Sequence, residues 1–171
     1  MYRLAATQYP EVMLGFVEHA SPDVRRNAAL AGSHMHDQRV HEALERLARD
    51  ELATVHEAAL FAMGKLGTPA FAKTLLMVLR STGEESMYAS VARGVACWSA
   101  ARIRPVNMQL MERLVTQATK PVIVIMGQRM FESDPVLISA CFGLVECARL
   151  EDAVLPLAER VLTAHSKVLT D

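Results

Sequence analysis

Three stretches of this chain open in the same way, and that repetition constrains the fold more than any other feature. Ser21-Pro22-Asp23-Val24 leads into Asn27-Ala28-Ala29-Leu30-Ala31, and Thr54-Val55-His56-Glu57 leads into Ala58-Ala59-Leu60-Phe61-Ala62. Ser133-Asp134-Pro135-Val136 leads into Ser139-Ala140-Cys141-Phe142-Gly143-Leu144, and a fainter copy runs from Met87 to Val95. With Val24, Val55, Met87 and Val136 as anchors the intervals are 31, 32 and 49 residues, so the last one holds an insertion. A repeat of this length is one supersecondary unit that cannot bury its apolar face alone and must stack on its neighbours.

The chemistry of each copy is that of a helix start. Ser21 and Ser133 stand where an N-cap belongs, Pro22 and Pro135 near the first turn, and Asp23 and Asp134 put negative charge by the helix N-terminus. Small residues follow four and seven positions after the anchors: Ala28 and Ala31, Ala59 and Ala62, Ala140 and Gly143. One side of each helix is therefore nearly flat, and another helix can lie close against it. A second helix with larger apolar residues follows each time: Val40, Leu44 and Leu47; Leu75, Val78 and Leu79; Leu110, Leu114 and Val115; Val154, Leu157, Val161 and Leu162. Pro10 to His19 reads as a lone second helix. Residues 120–132 depart from the repeat, and with Pro121 at its start the segment is expected to form an extra helix, or the first helix of its own repeat. The predicted fold is all-α: a right-handed α-solenoid of about four helix pairs plus an N-terminal half repeat, one domain over residues 1–171 with an irregular insertion at about 120–132. Val24, Ala28, Val55, Ala59, Leu60, Ala140 and Leu144 are the expected core, with Arg25 and Arg93 pointing outward on the convex side.

Composition fits. Hydrophobic residues make up 51% of the chain but aromatics only 5%, so alanine and leucine, the best apolar helix formers, carry the core. The formal net charge of −1 supplies no field to hold a polyanion, which argues against nucleic acid. Cys97, Cys141 and Cys147 form no C-x-x-C pair, as expected of a reducing compartment. No signal peptide and no membrane span are visible, so a soluble, cytoplasmic protein is expected.

Val55 to Gly67 follows the V-x-x-A-A-x-x-A-L-G-x-L-G pattern with Met63 in place of a leucine. On those residues the chain resembles the HEAT family, specifically the short bacterial phycobilisome-lyase-type repeats. The resemblance covers roughly residues 21–103 and 134–163. It implies stacked helix pairs, a concave side lined by second helices, and use as a scaffold.

Candidate chemistry is sparse. His34, His36 and His41 share one edge of the predicted stack, and imidazole suits divalent metals, but solvated histidines in a turn are the simpler reading. Val55-His56-Glu57-Ala58-Ala59 resembles a His-Glu dyad of deoxyhypusine hydroxylase, a HEAT-repeat enzyme whose iron centre takes several such dyads. The equivalent positions here, Arg25-Arg26, Tyr88-Ala89 and Leu137-Ile138, cannot contribute. His34, His36, His41, His56 and Glu57 therefore remain the metal candidates without making a site, and no cofactor is expected. Trp98 with Arg93, Arg102 and Arg104 is similar to the Trp and basic residues of HEAT-like DNA-alkylation glycosylases, yet helix packing accounts for the tryptophan as well. No motif marks a tetrapyrrole pocket or a catalytic nucleophile, and the chain is expected not to be an enzyme.

The outward residues of the second helices are His41, Glu42, Glu45 and Arg49; Lys73, Met77 and Arg80; Gln109, Glu112 and Arg113; Glu159 and Arg160. Mixed signs and a methionine suit a protein partner better than a polyanion. The expected function is protein–protein interaction through a concave face carrying His41, Glu45, Arg49, Lys73, Met77, Arg80, Glu112 and Arg113, with a regulatory or lyase-like subunit handling a cofactor or metal, and a nucleic-acid binder, as the alternatives.

Overall fold

The structure, a computed structural model, describes residues 9–80, 90–119, 123–125, 128–130 and 134–168. Nine helices lie in these segments: α1 (Pro10–Leu14), α2 (Pro22–Gly32), α3 (Gln38–Leu47), α4 (Ala53–Leu66), α5 (Ala72–Val78), α6 (Ser90–Ala100), α7 (Met108–Thr119), α8 (Asp134–Ala148) and α9 (Leu155–Val168). Short 3-10 turns at Pro69–Phe71 and Asp152–Val154 lead into α5 and α9. Helices α2, α4, α6 and α8 pack one on the next as a first layer. Helices α3, α5, α7 and α9 form the second, and the core lies between the layers. This is the all-α solenoid expected from the repeat, with α1 as the half repeat ahead of it.

Burial gives the repeat a regular internal register. On α4 the residues facing the second layer are Val55, Ala59, Met63 and Leu66; on α8 they are Val136, Ala140, Leu144 and Cys147. Both series run anchor, +4, +8 and +11, a helical stripe of one face. The same series on α6 is Ala92, Ala96, Ala100 and Ile103, all fully buried. The third anchor is therefore Ala92. Met87 lies outside the described residues, and Val91, which would be a core position counted from Met87, is 49% exposed. The sequence led to Met87 because an alanine-rich helix matches itself nearly as well after a slip of five residues. On α2 the series is Val24, Ala28, Gly32 and Met35, with Val24 half-buried and the others buried. The other expected core residues, Ala28, Val55, Ala59, Leu60, Ala140 and Leu144, are buried.

Small residues let the first-layer helices approach. A Cβ on Gly64 would stand 2.5 Å from Ser99 Oγ, and one on Gly94 would stand 2.8 Å from the Pro135 carbonyl oxygen. The contact is also polar, since Ser99 Oγ donates to Leu60 O at 2.8 Å and Cys147 Sγ to Ala101 O at 3.2 Å. Helix ends are closed locally. Asp37 caps α3 by accepting from Arg39 N at 2.8 Å, and Gly67, at φ 63°, ends α4 with its N–H on Met63 O. Ser21 holds the N-cap position of α2 but its side chain makes no capping bond.

Four expectations are corrected. Residues within 120–132 contain strands, not a helix: Ile123–Ile125 pairs antiparallel with Gln128–Met130. A β-branched run favours extended backbone, and the second strand supplies the partner that a lone strand would lack. Arg25 does not point freely outward. It forks onto Asp50, Nε to Oδ2 at 2.7 Å and Nη2 to Oδ1 at 3.0 Å, and Nη1 donates to His19 O at 2.9 Å. Arg93 is buried. Leu162 is 68% exposed although Val154, Leu157 and Val161 beside it are buried.

The Arg25 hydrogen bonds hold the Asp50 carboxyl below the usual carboxylate range. A depressed folded pKa contributes stability that is present above the unfolded-state value and is lost as pH falls through the folded value. Asp50→Asn is expected to melt earlier than wild type at neutral pH, with the gap narrowing in acid. Thermal melts of both proteins across that range check this; a gap that stays constant with pH would show that the Asp50 charge does not carry the contribution.

Candidate functional site

Counting from the corrected anchors, position +6 is Phe61 on α4, Trp98 on α6 and Phe142 on α8. Three successive repeats thus put an aromatic at one position of the first layer. Phe61 and Trp98 stack with ring centroids 5.1 Å apart and planes 9° from parallel. Phe61 is 39% and Phe142 56% exposed, and Trp98 is half-buried. Position +10 is Lys65, Arg102 and Glu146. The Arg102 guanidinium carbon lies 4.6 Å from the Trp98 ring centroid, within cation–π range.

The two rows border a cleft of about 430 Å³, whose walls include Lys65, Trp98, Arg102, Phe142 and Glu146. Glycines make the room: Gly64, Gly67 and Gly143 line it. Arg104 also borders the cleft, but its guanidinium serves the end of α6, donating to Ala101 O at 2.8 Å and Ile103 O at 2.9 Å. Of the three arginines expected near Trp98, Arg102 lies over the ring, Arg104 ties the helix end, and Arg93 is buried. The ladder was invisible from sequence because the Met87 register put Trp98 out of phase with Phe61 and Phe142.

Of the second-helix row, His41 and Glu45 lie on α3, Lys73 and Met77 on α5 and Glu112 and Arg113 on α7, with Arg49 and Arg80 just past the ends of α3 and α5; much of the row is spent internally. Glu45 accepts from Thr74 Oγ1 at 3.0 Å. Met77 is half-buried against the core. Arg113 donates to the carbonyls of Leu79 and Arg80, which finish α5, and Gln117 joins it on Leu79 O at 2.9 Å. Glu112 pairs with Arg160 at 3.0 Å. Arg49, Lys73 and Arg80 are exposed.

His41 packs edge-on to Phe71 with centroids 5.0 Å apart, and its Nε2 is buried without a hydrogen-bond partner. Burial, then the nearby His36, holds its pKa below the ordinary 6.5. The fold therefore prefers neutral His41 and binds fewer protons than the unfolded chain, so stability falls as pH drops from about 6.5 through the folded value. His41→Gln is expected to flatten that part of the profile, as read by urea midpoints between neutral pH and pH about 5. An unchanged slope would assign the dependence elsewhere.

The metal candidates are not convergent. His34 and His36 are exposed, His56 is buried with Nδ1 3.2 Å from Asp50 O, and Glu57 is half-buried. No group of three or more His, Cys, Asp or Glu side chains placed to hold a metal ion occurs among the described residues. Burial raises the pKa of the Cys141 and Cys147 thiols, away from nucleophilic character. No helix among the described residues is long and apolar enough to cross a membrane.

The family model for HEAT repeats matches residues 10–96, just over half of the chain. No curated protein matches the sequence.

Proposed function

The chain belongs to the HEAT-repeat family, and from that premise we propose that it is a non-catalytic protein-interaction scaffold whose partner docks on the first-layer ladder. The observation that carries this reading is the Phe61–Trp98 stack with Arg102 over it, beside an open cleft. Protein interfaces concentrate their energy in aromatic and arginine side chains set in a concave surface. The ring pair and the guanidinium are already ordered by contact with each other, so a partner gains their area with little loss of side-chain entropy. Position +6 recurs with the repeat, which suits an elongated segment lying across several helices. Three free cysteines, two of them buried, support a reducing, cytoplasmic setting in this proposal. The finer assignment to the bacterial lyase-type repeats rests on the Val55–Gly67 pattern.

The second-helix face with His41, Glu45, Arg49, Lys73, Met77, Arg80, Glu112 and Arg113 is the competing surface, and one experiment ranks the two. Tagged wild-type chain, the pair Phe61→Ser with Arg102→Glu, and the pair Lys73→Glu with Arg80→Glu are used to recover partners from host cells. The ladder pair is expected to weaken binding of the recovered partner at least tenfold, about 1.4 kcal/mol, while the second-helix pair leaves it nearly unchanged. The reverse ranking would move the site to the second-helix face. Retention on heparin well beyond that of a neutral control would favour nucleic acid over protein.

A further inference from the structure

The cleft beside the ladder is positive although the chain as a whole carries a net charge of −1. Its walls hold three cations, Lys65, Arg102 and Arg104, against one carboxylate, Glu146. That carboxylate is already answered on its own helix, where Arg149 Nη1 donates to Glu146 Oε1 at 2.9 Å. Lys65 and Arg102 are exposed, and among the described residues neither forms an ion pair. Cations near helix C-termini ordinarily serve the orphan carbonyls there, but here other donors serve the ends of α4 and α6. Gly67 N–H donates to Met63 O at 2.9 Å and Arg104 N–H to Gly67 O at 2.8 Å. The Arg104 guanidinium takes Ala101 O and Ile103 O. Lys65 and Arg102 therefore line the cleft with donors that the fold does not use.

The Trp98 ring sets how Arg102 can meet a ligand. A guanidinium over a ring, here 4.6 Å from the centroid, spends its face on the ring and keeps its N–H groups at the edge, in the fork that matches a carboxylate. Phe142, more than half exposed, gives the same cleft an apolar wall. We propose that the cleft takes an acidic peptide segment of the protein partner. One carboxylate sits on the Arg102 fork with Lys65 as a second cation, and a neighbouring apolar or aromatic side chain lies against Phe142. This deepens the docking reading above and rests on it. Charge complementarity chooses the occupant. A basic segment would meet Lys65 and Arg102 with no unpaired carboxylate on the walls to receive it. A nucleic-acid strand needs a positive groove along its backbone and open rings for its bases. Here two uncommitted cations stand beside a glutamate, and Trp98 is already stacked on Phe61 and covered by Arg102.

A phage-displayed library of random dodecapeptides, panned on the full chain at low salt, tests this. Enriched sequences are expected to place at least two acidic residues close to an aromatic or large apolar one. A fluorescein-labelled copy of the most frequent sequence should lose at least tenfold in affinity on Arg102→Gln. It should lose several-fold on Lys65→Gln and on Arg102→Lys, which keeps the charge without the fork. Melting points should not move, because both side chains are exposed. Changing the acids of the peptide to glutamine should cost as much as Arg102→Gln and make binding indifferent to that variant. Enrichment of neutral or basic peptides, failure to enrich any, or an acidic peptide that both Lys65→Gln and Arg102→Gln leave bound overturns the proposal. So does displacement of the peptide by an equal concentration of single-stranded oligothymidylate, which would assign the cleft to nucleic acid. Neutral peptides whose binding the pair Phe61→Ser with Arg102→Glu abolishes would remove the acidic partner and keep the docking reading. Peptide binding that the same pair leaves intact would overturn both.

Discussion

Ala59→Asp should remove most of the stability of the chain. Ala59 is fully buried at +4 of α4, where the helix faces the second layer across the core. Ala59 belongs to the hydrophobic core cluster, where a carboxylate would be taken out of water. An uncompensated buried charge costs about 3–5 kcal/mol, a large part of the 5–15 kcal/mol that a domain of this kind possesses. The register adds a sharper version of the test. Ala96 is the equivalent residue of α6 and is also fully buried, so Ala96→Asp should cost about as much. Val91 is exposed in the first turn of α6, where a negative charge also meets the helix N-terminus favourably, so Val91→Asp should stay within about 0.5 kcal/mol of wild type. Chemical denaturation of the three variants decides between anchors. A severe Val91→Asp with a mild Ala96→Asp would restore Met87.

How far the fold could be read from sequence depended on how distinctive each helix is. Val55 to Leu66 combines β-branched, small and large residues in an order that matches itself in only one phase, and its burial came out as read. Ser90 to Ala100 is built almost wholly of small residues, so several phases match it equally, and only packing against Leu60 and Pro135 picks one. The insertion failed for a different reason. Ile123 to Ile125 carries no turn residue of its own, and the strand that pairs with it, Gln128–Met130, is not recognisable as one in isolation. A non-local partner decides such a segment. The surface was harder still. Arg113 and Glu45 read as outward charges by periodicity, but a helix end and a threonine on neighbouring elements claim them. The aromatic ladder needed the correct phase of all three helices at once, and one wrong phase hid it.

Gly94→Val should detach the last helix pair from the rest of the solenoid. In an isolated helix the change would help, since glycine costs about 1 kcal/mol relative to alanine in a helix interior. Here the space is taken. Even the first carbon of a side chain would stand 2.8 Å from the Pro135 carbonyl oxygen and 3.1 Å from its carbon, and backbone cannot swing aside as a side chain can. Valine adds two more methyl groups that a helix confines to one χ1 rotamer. Relief requires α8 to move away from α6, which opens the contacts at Gly143 and the Cys147–Ala101 bond as well. Overpacking of this kind costs about 1–3 kcal/mol, and in a stack held by nearest-neighbour contacts the loss falls on one interface. Hydrogen exchange should therefore quicken in α8 and α9 well before α2 to α4 respond. Gly15→Ala is the control, because the nearest atoms to its added carbon are 3.5 and 3.6 Å away and its backbone is already right-handed helical. That change should be neutral or stabilising by about 0.5 kcal/mol. If Gly94→Ala stabilised as Gly15→Ala does, with α8 and α9 still protected, the close approach of α6 and α8 would not be the contact that holds the last pair in place.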